Sequence, residues 1–141
     1  MTDIALQAMR RLLFLPLLAG LVMPVQAEPV YLTCRGSSEK ESGVWEVTVK
    51  PEAEKGIVSE ITKNGSTWNT AKLPQFISNS SYTLQGIEVK SYATLNRTYK
   101  VDRTNGDYVY TFWMTNTGLA PRPPLVYRGK CDKRQPVKTM F

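Results

Sequence analysis

Val44-Trp45-Glu46-Val47-Thr48-Val49-Lys50 decides the fold class. Trp45, Val47 and Val49 alternate with Glu46, Thr48 and Lys50, the period of two that places every second side chain on one face of a strand. One face is apolar and the other polar, as in an antiparallel strand that covers a core on one side only.

The same reading repeats outward from this segment. Toward the N-terminus, a polar turn over residues 36–43 leads back to a strand at 30–35, with Leu32 and Cys34 on one face and Tyr31, Thr33 and Arg35 on the other. Toward the C-terminus, Pro51 and the charged residues 52–55 end the strand, and residues 56–62 resume it with Ile57 and Ile61 on one face. Lys63-Asn64-Gly65-Ser66 is a hairpin signal, because Asn-Gly accepts the positive φ angles of a two-residue turn. Residues 67–73 form the return strand, and 74–80 read as a loop opened by Pro74. In the strand at 82–89 the alternation slips at Gly86, which predicts a β-bulge. Strands at 92–101 and 108–114 flank a second Asn-Gly turn, Thr104-Asn105-Gly106-Asp107. Gly118, Pro121, Pro123 and Pro124 make 115–124 a long connection, since proline cannot donate to a central ladder. A last strand follows at 125–131.

The chain is therefore all-β, with about eight short antiparallel strands arranged as a small barrel or a two-sheet sandwich. The cysteines favour the barrel. Cys34 lies in the first strand and Cys131 in the last, and a bond between them requires those strands to be neighbours, as in a closed meander.

Residues 1–27 read as a bacterial secretory signal. Arg10 and Arg11 precede an apolar run from Leu12 to Val25, and Val25-Gln26-Ala27 supplies small residues at the cleavage position. The run contains Pro16, Gly20 and Pro24 and is shorter than the roughly 20 residues of a spanning helix, so no membrane anchor is expected after cleavage. The predicted products are a single β domain at 28–132 and a basic, flexible tail at 133–141, in the periplasm or the medium. Export exposes both thiols to an oxidising compartment, where an even cysteine count in a small domain means a disulfide.

The chain carries a formal net charge of +6. The basic excess gathers late, in Arg97, Lys100, Arg103, Arg122, Arg128, Lys130, Lys133, Arg134 and Lys138, opposed there by Asp102, Asp107 and Asp132. An exported basic surface suits anionic partners such as lipid headgroups, lipopolysaccharide or acidic glycans. The compartment argues against nucleic acid. With no histidine in the chain, Ser-His-Asp and Cys-His catalysis are excluded, as are histidine-ligated zinc and haem. No phosphate-binding loop or dinucleotide fingerprint occurs, and no cofactor or metal is expected. The acids fall in turns or on polar strand faces, which leaves a carboxylate-pair hydrolase as a remote alternative and a non-enzyme as the expectation.

Tyr108, Tyr110 and Phe112 share one face of their strand, and Trp113 points to the other. Trp113, Arg122, Arg128 and Lys130 are the candidate residues for binding an anion. The leading expectation is thus a non-catalytic exported protein that binds an anionic envelope component. The alternative is an inhibitor or subunit docked on another envelope protein.

Tyr99-Lys100-Val101-Asp102-Arg103-Thr104-Asn105-Gly106-Asp107-Tyr108 resembles the Ile-Asn-Arg-x-Thr-Gly hairpin of short exported bacterial proteins of unknown function, which often carry a cysteine near each end. The resemblance implies that Arg103 is structural, bonding carbonyls across the turn or pairing with Asp107. The Ser-Gly-x-x-Tyr loop of periplasmic lysozyme inhibitors, similar in size and disulfide closure, is absent.

Overall fold

A computed structural model describes residues 27–134; the expected signal up to residue 26 and the tail beyond 134 lie outside this range. Eight strands follow one another: β1 (Val30–Ser37), β2 (Ser42–Val49), β3 (Lys55–Ile61), β4 (Thr67–Ile77), β5 (Ser81–Val89), β6 (Thr94–Asp102), β7 (Asp107–Thr115) and β8 (Leu125–Lys133). Each pairs antiparallel with the next, and β8 pairs with β1, so the sheet closes as a barrel rather than dividing into a sandwich. Closure leaves no strand edge at the junction of the chain's two ends.

The barrel closes where the cysteines predict. Cys34 and Cys131 oppose each other in the β1–β8 ladder and form a disulfide across 97 positions of sequence. The ladder extends past it, because Lys133 pairs with Leu32 and the Arg134 amide donates to the Tyr31 carbonyl at 2.9 Å. The last strand is thus two residues longer than expected, and Lys133 and Arg134, expected at the start of a flexible tail, belong to the barrel. Arg134 is held by its guanidinium, 3.6 Å from Glu46 and over the Tyr31 ring.

Two other expectations are corrected. The segment opened by Pro74 is strand, not loop: β4 pairs with β3 as far as Pro74 and with β5 from Gln75, so the proline sits where the strand changes partners. The slip at Gly86 is not a bulge, since β5 pairs with β6 in unbroken register from Ser81 to Val89. Tyr82 and Leu84 are buried, whereas Ile87 and Val89 are 66% and 79% exposed; the alternation changes because the strand leaves the core. The bulge lies elsewhere, in the β3–β4 ladder between Val58 and Glu60, where Asn69 adopts φ 48°.

The register of β5 to β8 stacks the inward side chains in rows. Tyr82, Val101, Tyr108 and Gly129 make one row, Leu84, Tyr99, Tyr110 and Tyr127 the next, and Gly86, Arg97, Phe112 and Leu125 the last that spans all four strands. Val47, Val49 and Val58 fill the opposite wall, and Trp45 reaches the tyrosines. At the end remote from the last row, the Gln75 carboxamide pins the β2–β3 turn, accepting from the Lys50 amide at 3.1 Å and donating to the Lys50 and Ala53 carbonyls. Arg103 is structural, but its partner is the neighbouring turn: it donates to the Ser78 carbonyl at 2.5 Å and lies over the Tyr82 ring. Asp107 pairs instead with Lys130.

Candidate functional site

The candidate residues from the sequence fall into two separate hollows. Trp113 and Arg122 are brought together by the β7–β8 connection, in a hollow of about 280 Å³ that also has Phe112, Leu119 and Leu125 in its wall. Trp113 is half-buried, on the outer face as its strand phase predicts. Trp68 is 56% exposed on β4.

Arg128 and Lys130 lie on the outer face of β8, beside Arg35 across the β1–β8 ladder. With Lys63 from the β3–β4 turn they surround an open hollow of about 550 Å³, floored by Gly36, Gly43 and Gly129. No carboxylate is among its lining residues. Lys130 is paired with Asp107, and Arg35 lies 4.0 Å from Asp132. Among the described residues, Arg128 and Lys63 have no carboxylate within ion-pair distance. Arg35 and Lys63 were missed in the sequence because they come from the near-neutral first half. Barrel closure carries them to the basic strand.

A third space lies inside the barrel, at the end formed by the last inward row. Its volume is about 220 Å³, and Trp45, Tyr99, Tyr110, Tyr127, Phe112 and Leu125 face Val58, Ala71 and Leu73 across it, with Arg97, Glu60 and Asn69 as its polar members. The aromatic walls are mutually braced. Tyr99 stacks on Tyr110 with centroids 4.5 Å apart, Tyr110 on Tyr127 at 5.6 Å, and Trp45 meets Tyr110 and Tyr127 at 5.4 and 5.2 Å. The Arg97 guanidinium lies over the Phe112 ring and 3.6 Å from Glu88, whose nearer cation is Lys90 at 2.7 Å. The Lys90 hydrogen bond and charge hold the Glu88 carboxyl below its ordinary value.

These tyrosines remain neutral phenols well into the alkaline range. Burial, then the hydrogen bond to Glu41, pushes Tyr127 up to about 12. Burial is also the first cause of the upward shifts of Tyr99, Tyr108 and Tyr110. In the unfolded chain all four titrate near 10. Above that pH the folded state keeps protons that the unfolded state releases, so stability is complete below about pH 10 and is lost as pH rises toward 12. The melting temperature should therefore hold level from about pH 8 to 9.5 and fall beyond about pH 10, with phenolate absorbance appearing as the protein unfolds. A constant melting temperature across that window would contradict the burial of these phenols.

No family model matches the sequence, and neither the curated proteins nor the solved structures contain a match to it.

Proposed function

We propose that the protein is an exported, non-catalytic binding protein whose ligand is an anionic component of the bacterial envelope. The observation that carries this reading is the convergence of Arg35, Lys63, Arg128 and Lys130 on one carboxylate-free hollow. Cations gathered from two strands and a turn sum their fields there, and like charges held together favour an anionic counterpart. The disulfide suits an oxidising compartment. No helix among the described residues is long and apolar enough to cross a membrane.

Binding to vesicles containing an anionic phospholipid, or to lipopolysaccharide, tests the reading. The Debye length shrinks from about 10 Å at 0.1 M salt to about 3 Å at 1 M. Raising salt from about 0.05 to 0.5 M should weaken binding more than about tenfold, and the double variant Lys63→Gln/Arg128→Gln should weaken it severalfold at low salt. Affinity indifferent to salt, or unchanged in the double variant, would remove the hollow as the contact.

A further inference from the structure

The chamber inside the barrel shares no lining residue with the basic hollow and has a different chemistry. An eight-stranded barrel has an interior that side chains just fill or that holds one small ligand. Here the last inward row leaves space. Gly86 contributes no side chain, and a Cβ there would lie 2.6 Å from the Leu73 side chain, so Leu73 leans toward β5 in its place. Beside this point β4 and β5 are joined only over Gln75–Ile77. The lateral hollow left between them, about 690 Å³, has Ala71, Leu73 and Arg97 in common with the chamber and so offers a side approach to it.

We propose that this chamber binds one small planar carboxylate, its ring against the aromatic wall and its carboxylate on Arg97. Arg97 is the one cation among the lining residues; its contact to Glu88 is long, at 3.6 Å, and Glu88 is held more closely by Lys90 at 2.7 Å, so the guanidinium fork can still take a ligand carboxylate in a bidentate pair. It stands in the same inward row as Phe112, whose ring it covers, and one row from the stacked Tyr99 and Tyr110. Their phenols keep their protons and can donate to an anion. An apolar cavity of about 150 Å³ is enough for benzene, so 220 Å³ suits a single ring bearing a carboxylate. Glu60 lines the opposite side, from β3, and repels an anion there, which directs the charged end of the ligand toward β6.

The test uses the disulfide-bonded mature chain and three probes of one shape: benzoate, benzyl alcohol and benzylamine. In a titration followed by NMR, benzoate should shift the Trp45 indole and Tyr110 ring signals to saturation, with a Kd of about 1 mM or tighter and the two other probes weaker. Arg97→Gln should weaken benzoate at least about tenfold, and Arg97→Lys should recover part of the loss, because the lysine retains the charge without the fork. Ala71→Phe, which fills the chamber from β4, should abolish benzoate binding while vesicle binding at the basic hollow persists. Benzoate that does not bind, that binds equally to the Arg97→Gln protein, that yields to benzylamine, or that shifts only signals of Arg35 and Arg128 would each overturn the proposal.

Discussion

Replacing Cys34 and Cys131 together by alanine should lower the unfolding free energy by about 4.7 kcal/mol, the chain-entropy value for a loop of this length at 25 °C. The bond spans 97 positions, nearly the whole described domain, so its loss frees almost the entire unfolded chain. Net stability of a small domain is about 5–15 kcal/mol, which makes this one bond about three-tenths or more of the total. Alanine is the informative replacement because Cys34 is fully buried, and a serine hydroxyl there would add an unpaired polar group costing about 1–3 kcal/mol of its own. The site also matters topologically. Cys34 and Cys131 lie within the ladder that joins β1 to β8, and opening it converts both strands into free edges. Urea unfolding of the wild type and the double variant measures the difference directly. A loss under about 1 kcal/mol would show that the β1–β8 hydrogen bonds close the barrel without help.

The strands were legible because one chemical alternation recurs along the chain, as in Trp45-Glu46-Val47-Thr48-Val49, and because Asn-Gly marks turns. Gly65 and Gly106 do adopt positive φ, at 81° and 80°. Barrel and sandwich share that alternation, however. Only the pairing of first strand with last separates them, and the cysteines were its one mark in the sequence. Pro74 misled because its missing amide argues against a ladder in general, whereas here the ladder changes partners at that residue.

The chamber was legible only in part. Arg97 stands in phase with Tyr99 and Val101, so its inward direction could be read from β6 alone, but its charge was counted with the basic half. That the row beside it holds Phe112, Leu125 and an empty Gly86 depends on register across four strands, which no local pattern states. The basic hollow has the same origin: Arg35 and Lys63 reach Arg128 through closure, at sequence distances that composition does not sense.

Gly129→Ala should be the most damaging change of a single methyl group, lowering stability by more than about 3 kcal/mol, above the usual range for an overpacked site. A Cβ at this position would lie 1.7 Å from the Arg35 carbonyl oxygen and 2.7 Å from the Gly36 Cα. Both are backbone atoms of β1, so no rotamer change can relieve the overlap; β8 must move away from its partner. Gly129 and Gly36 oppose each other two positions from the disulfide, with the Tyr108 ring beneath Gly36. Separation there breaks the ladder that closes the barrel and loosens the packing of Tyr108, the largest fully buried side chain. Gly36→Ala is the comparison: a Cβ on it would meet Tyr108 and Tyr127 side-chain atoms at 3.4 Å, a contact that small shifts absorb, at about 1 kcal/mol or less. Thermal unfolding of the two variants ranks them. Equal melting temperatures would mean that the strands do not approach as closely at Gly129 as the register requires.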